Sequence, residues 1–150
     1  MMNIILVLNG PNLNMLGLRE PEVYGRETLA DVEQACRQYG ERHGLVIEFQ
    51  QTNHEGQMIE WIHQSRRRIA GIVINPGAWT HTSAAIHDAL IAAEVPVIEV
   101  HISNVHRRED FRHFSYVSRV AKGVLAGFGT DGYRMAIQHY ASCLEQPFTV

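Results

Sequence analysis

A doubly wound α/β domain on a five-stranded parallel sheet is the fold class this sequence predicts. Three observations predict it: short, β-branched-rich apolar runs, helical periodicities between them, and polar, glycine-punctuated segments directly after several of the runs. The runs are Ile4 to Leu8, Val46 to Phe49, Ile72 to Ile74, Val97 to Val100 and Val124 to Phe128. Most are too uniformly apolar to keep one wet face, so they read as buried parallel strands. The first follows Met1-Met2-Asn3 directly. It is too short for a signal-peptide core and has no basic leader or small-residue cleavage site, so it reads as a strand and the chain is expected to be cytoplasmic.

Four helices fill the intervals. Thr28 suits the N-cap of a helix whose apolar positions Leu29, Val32, Cys36 and Tyr39 keep helical spacing, with Gly44 ending it. A second carries Met58, Ile59 and Ile62 and is expected to finish in Arg66-Arg67-Arg68, where cations suit the negative end of the helix dipole. The third spans His81 to Glu94, with Ile86 and Leu90 on one stripe. The last sets Tyr133, Ile137, Tyr140 and Leu144 on one face. Right-handed crossovers leave few topologies for such a pattern, and the flavodoxin-like strand order 2-1-3-4-5 is expected. Ligands of these sheets sit at the carboxyl ends of the strands. The relevant loops are therefore Asn9 to Gly25, Asn75 to Thr82 and His101 to Arg112, which are also the chemically richest segments.

The 150 residues fit one domain, 1–150, with a core that needs no staples. Thirteen Lys and Arg against sixteen Asp and Glu leave a net charge of −3, so no overall basic field points to nucleic acid or an acidic membrane. Anion binding has to be local. Cys36 and Cys143 lie far apart, each in a helical pattern, and read as packed thiols of a reducing compartment. Gly127-Phe128-Gly129-Thr130-Asp131-Gly132 matches the letters of a dinucleotide fingerprint, yet too little chain follows for the next strand and its acidic residue, so the glycines read as a tight turn and close helix packing. The histidines lack ligand spacing, so no metal is expected. Lys122 is the sole lysine and stands away from the three rich loops, which argues against Schiff-base chemistry.

Two constellations carry chemistry. The loop Leu16 to Gly25 holds Arg19 beside Tyr24. A phenol ionises near pH ~10, so a useful tyrosinate population at neutrality takes about 4 kcal/mol of differential stabilisation, which neighbouring guanidinium groups can supply. Arg19 is the local candidate, and Arg107, Arg108 and Arg112 join it in the same space if the fold brings the two loops together. The plainer reading is a surface turn. In the fourth run, Glu99 and His101 stand two residues apart on one face of a strand, so the carboxylate can hold one imidazole nitrogen while the other faces a ligand. The backbone amides and hydroxyl of Ile102-Ser103-Asn104 suit a carboxylate.

Read together, Asn9-Gly10-Pro11-Asn12-Leu13-Asn14, Arg19-Glu20-Pro21 with Tyr24-Gly25, Gln51-Thr52-Asn53-His54-Glu55-Gly56, Asn75-Pro76-Gly77-Ala78, Thr80-His81-Thr82-Ser83 and Glu99 to Asn104 resemble the type II 3-dehydroquinate dehydratases over essentially the whole chain. The resemblance implies a cofactor-free hydro-lyase of the shikimate pathway. It converts 3-dehydroquinate reversibly to 3-dehydroshikimate by anti elimination of water through an enolate. It implies Tyr24 as tyrosinate base, Arg19 on a lid loop beside it, His101 as the acid oriented by Glu99, and Asn12 with an ordered water at the enolate. Asn75, His81 and Arg112 are implied at substrate hydroxyls, and the Ile102 and Ser103 amides at the carboxylate. Asp88 is implied to reach a neighbouring subunit's site in a dodecamer of trimers. Trp79 and Phe114 depart from the family pattern, and Trp79 puts the role of His81 most in question. A flavodoxin-like nucleotide or flavin binder is the alternative. It would need a phosphate-binding loop after the first strand, where Asn9-Gly10-Pro11-Asn12 is poor in Ser, Thr and Gly.

Overall fold

A computed structural model describes residues 3–18 and 21–145, with Val23 and Tyr24 described in backbone only. Five parallel strands, β1 (Ile4–Asn9), β2 (Val46–Gln51), β3 (Gly71–Asn75), β4 (Val97–His101) and β5 (Gly123–Ala126), stand in the order 2-1-3-4-5. The helices are α1 (Pro21–Tyr24), α2 (Leu29–Arg42), α3 (Glu55–Ser65), α4 (Ala84–Ala93) and α5 (Asp131–Glu145). Among the described residues no helix is long and apolar enough to cross a membrane.

Alternation along the strands sorts the core into two layers. Ile4, Leu6, Leu8, Ile72 and Ile74 pack with Met58 and Ile62 of α3 and Ile86 and Leu90 of α4. Ile5, Val7, Val73, Ile98 and Val100 pack on the other face with Val32 and Cys36 of α2 and Tyr133 and Ile137 of α5. Burial on both faces explains why β1, β3 and β4 are apolar almost throughout. The edges differ from expectation: β2 exposes Val46 and Gln50, and β5 exposes Gly123 and Val124, because an edge strand lacks a neighbour on one side.

Local chemistry sets the helix ends. Thr28 and Asp31 form a reciprocal capping box on α2, the Asp31 amide donating to the Thr28 hydroxyl and the Thr28 amide to the Asp31 carboxylate. The third helix starts at Ala84, not His81, because the Ser83 hydroxyl caps the Ile86 amide; Gly77–His81 forms a separate 3-10 turn. The second ends at Ser65, short of the arginines: Arg66 is the C-cap and Arg67 adopts φ 59°, while Arg66 pairs with Glu94 and Arg68 with Glu48. The fifth strand stops at Ala126 instead of reaching Phe128, since Gly127 turns the chain at φ 93°. Gly132 lies against Val100, where a Cβ would sit 3.0 Å from a methyl group, so the glycines serve turn and packing as read. Cys36 is buried, and its thiol is pushed up to about 12 by that burial, but Cys143 is exposed on α5 and is not the packed thiol expected. Leu144 is likewise half-exposed.

Two tertiary features hold the carboxyl edge of the sheet together. Gly10 brings its chain so near Pro76 that a Cβ would lie 2.3 Å from that residue's carbonyl oxygen, and its amide donates to the Asn75 carbonyl at 2.8 Å. Beneath, a buried polar chain runs from Asn75 Nδ2 to the Tyr133 hydroxyl (2.9 Å), from that hydroxyl to Asn9 Oδ1 (2.6 Å), and from Asn9 Nδ2 to the Gln50 carbonyl (3.1 Å). Burial pushes the Tyr133 phenol well up, so it stays a neutral donor and acceptor. Gly10→Ala is expected to destabilise by about 1–3 kcal/mol through overpacking against backbone, measured by urea denaturation. An unchanged midpoint would show that the two loops part freely. Tyr133→Phe leaves the Asn9 carbonyl and the Asn75 amide each short of a partner, and a loss of about 1–3 kcal/mol is expected in the same assay.

Candidate functional site

The three loops named from the sequence converge on one cleft of about 270 Å³ at the carboxyl edge of the sheet. β1 and β3 are neighbours, yet their chains leave toward α2 on one face and α4 on the other, which opens a crevice between them.

The β1 loop supplies Pro11, Asn12, Leu13, Met15 and Leu16. Asn12 adopts the left-handed φ of 70°, a conformation that asparagine tolerates better than most residues, and its amide donates to Asn53 Oδ1 at 2.9 Å. Gln51 Nε2 donates to the Gly10 carbonyl and to Asn53 Oδ1, each at 3.1 Å. The end of β2 and the residues just after it thus brace this wall without lining it.

The β3 loop supplies Asn75, Gly77, Ala78 and His81. His81 Nδ1 meets the Phe114 carbonyl at 2.7 Å; a carbonyl can only accept, so Nδ1 carries the proton and Nε2 is left as an acceptor. That contact uses the backbone of residue 114, so a phenylalanine there serves as well as another residue. Trp79 packs its ring on the α3/α4 core and does not line the cleft.

The end of β4 supplies His101, Ile102 and Ser103, and the connection beyond it Val105, Arg108 and Arg112. That connection contains three short 3-10 turns, Val105–Arg107, Asp110–Arg112 and Val117–Arg119. Glu99 is fully buried and pairs with Nε2 of the nearly buried His101. Burial acts to raise the Glu99 carboxyl, but the hydrogen bond and charge of His101, with the Ser118 and Thr80 hydroxyls, outweigh it and hold the group below the ordinary carboxylate range. Nδ1 of His101 has no hydrogen-bonding partner among the described residues. Arg112 Nε is fixed by Glu109 at 2.7 Å, and Arg108 reaches Ser103 Oγ at 3.3 Å. The result is an imidazole backed by a buried carboxylate at a cleft rimmed by two guanidinium groups and backbone amides. This set can exchange a proton with a bound molecule and hold an anion.

Of the residues singled out from the sequence, Asn12, Asn75, His81, His101, Ile102, Ser103 and Arg112 line this cleft, with Glu99 directly behind. Asp88 does not: it is exposed on α4 and meets His87 at 2.8 Å. Arg19 lies outside the described residues, and so does the side chain of Tyr24, whose backbone ends α1. Sequence reading missed Ser115 and Ser118, isolated serines without a motif, and the bracing by Gln51 and Asn53, although both of these stood in a distinctive block.

The family described as Dehydroquinase class II matches residues 3–141. Over 143 residues the chain is 66% identical to "3-dehydroquinate dehydratase 2" of Pseudomonas putida, covering 95% of this chain and 96% of that protein. Over 145 residues it is 60% identical to the protein of the same name from Pseudomonas aeruginosa, covering 97% and 98%. The crystal structure of type II dehydroquinase from Propionibacterium acnes superposes with a TM-score of 0.88 at 47% identity, covering 95% of this chain and 98% of that one. In sequence, in the 2-1-3-4-5 parallel sheet and in the span of the match, this chain belongs to the class II dehydroquinase family of enzymes.

Proposed function

We propose that this chain is a type II 3-dehydroquinate dehydratase and that it works through a tyrosinate base and a histidine acid. The observation that carries the reading is the buried Glu99–His101 pair opening on a cleft rimmed by Arg108, Arg112 and the Ile102–Ser103 segment. Such a site suits a hydroxylated carboxylate substrate that must lose a hydroxyl group. Family membership and relatives named for this activity support it.

In the proposed reaction Tyr24, as tyrosinate kept ionised by Arg19, removes the C2 proton. The electron pair moves onto the C3 carbonyl oxygen as an enolate, which Asn12 and a water stabilise. The enolate then collapses to the C1–C2 double bond, and the C1 hydroxyl leaves as water with a proton from His101 Nδ1. Atoms balance without a cofactor. Asn75, His81 and Arg112 hold substrate hydroxyls: Asn75 is anchored by Tyr133, Arg112 by Glu109, and His81 presents Nε2 as an acceptor. The Ile102 and Ser103 amides take the carboxylate. The same reading carries assembly of trimers into a dodecamer, with Asp88 reaching a neighbouring subunit's cleft, and a cytoplasmic location.

Mixing 3-dehydroquinate with metal-free protein is expected to raise ultraviolet absorbance as the conjugated enone forms, and Tyr24→Phe to cut that rate by at least about 10²–10⁴-fold with the melting temperature little changed. A near-normal rate would rule Tyr24 out as the base. Borohydride added with substrate is expected to leave activity intact; inactivation with label on Lys122 would replace the enolate by an iminium.

A further inference from the structure

We propose that Thr80, Ser115 and Ser118 form a hydroxyl cage that holds Glu99 as the carboxylate through the catalytic cycle and so keeps the working proton on His101. They are positioning residues, and the inference rests on the dehydration proposed above.

A carboxylate offers about four lone-pair sites. Around Glu99 stand His101 Nε2 and Thr80 Oγ1 (2.7 Å) at Oε2, Ser118 Oγ at Oε1, and Ser115 Oγ beside both oxygens at 3.0 and 3.2 Å; Thr80 and Ser115 also hydrogen-bond each other, so one of these two hydroxyls donates to the carboxylate and the other to its neighbour. The donors come from separate segments that are tied to one another. The Tyr116 amide donates to the Thr80 carbonyl at 2.7 Å, the Ser118 amide to Ser115 Oγ at 2.9 Å, and the Thr80 and Ser115 hydroxyls meet at 2.5 Å. None of the three lines the cleft, so none touches substrate there. Their route to the chemistry is through Glu99.

The cage matters most when His101 has given up its Nδ1 proton. The imidazole is then neutral, and the fully buried carboxylate has lost its counter-charge. Hydroxyl bonds to an anion are roughly twice as strong as bonds to a neutral acid, so the Ser118 hydroxyl and the linked Thr80–Ser115 pair favour the anion at that moment. The Nε2 proton therefore stays on the ring, and Nδ1 remains the nitrogen that gives and regains the proton. Among the described titratable groups, His101 is the one whose charge acts on this carboxyl.

The test compares Thr80→Val and Ser118→Ala with Thr80→Ser, which keeps the hydroxyl. For the two deletions we expect kcat to fall about ten- to a hundredfold with KM little changed, and the acid limb of kcat/KM to move to higher pH, because a carboxyl with fewer donors protonates sooner. Thr80→Ser is expected to keep the parent profile. Carboxyl carbon NMR of Glu99 without substrate should show its titration midpoint rising in both deletions. A lowered melting temperature with unchanged kcat, pH profile and Glu99 titration would make the cage merely structural and overturn the proposal. If Thr80→Val does not fold, the partly exposed Ser118 decides by the same readouts. Parent protein inactive on 3-dehydroquinate would sink the functional reading, while an unmoved Glu99 midpoint would sink the cage independently.

Discussion

The contact at Gly10 is the constraint on which the site depends. β1 and β3 are hydrogen-bonded neighbours whose chains must depart to opposite faces, and they can do so only where one backbone passes against the other. A residue without Cβ makes that passage possible, and the Gly10 amide to the Asn75 carbonyl then sets the width of the crevice. Asn12 stands on one wall and Asn75 on the other, so the separation of these two side chains follows from a backbone distance. The chain of hydrogen bonds from Asn75 through Tyr133 to Asn9 fixes the same junction from below.

Charge is treated differently in the two halves of the cleft. At the floor a single carboxylate is buried completely and saturated with donors, which is the condition under which a charge can persist away from water. At the rim the guanidinium groups of Arg108 and Arg112 stay partly solvated, with Glu109 near both. A protein of net charge −3 thereby presents a local cationic mouth. The turn-rich connection from β4 to β5 serves both halves, carrying the arginines early and Ser115 and Ser118 later.

Much of this was legible in the chain. The strand runs and the three loops followed from periodicity, because burial on two faces leaves strands with few polar positions, and the strand order followed from the handedness of the crossovers. Glu99 and His101 could be paired because a strand repeats every two residues, which fixes neighbours on one face without knowledge of the fold. Helix ends were less legible. Ser83 starts α4 because its hydroxyl is free to cap the Ile86 amide while also donating to Glu55 of α3, a partner 28 residues away. Past the end of α3, Arg66 and Arg68 pair with Glu94 and Glu48, partners remote in sequence that no local pattern announces.

By itself the sequence determined the fold class, the edge of the sheet where chemistry gathers, and the imidazole–carboxylate pair. These depend on patterns that repeat within a few residues, and local sterics enforce them wherever the chain goes. Only the tertiary structure decided how Glu99 stays charged. Thr80, Ser115 and Ser118 have no common spacing, and serine and threonine hydroxyls are acceptable in almost any turn, so their convergence on one carboxylate exists only once β3, β4 and the connection beyond are packed together.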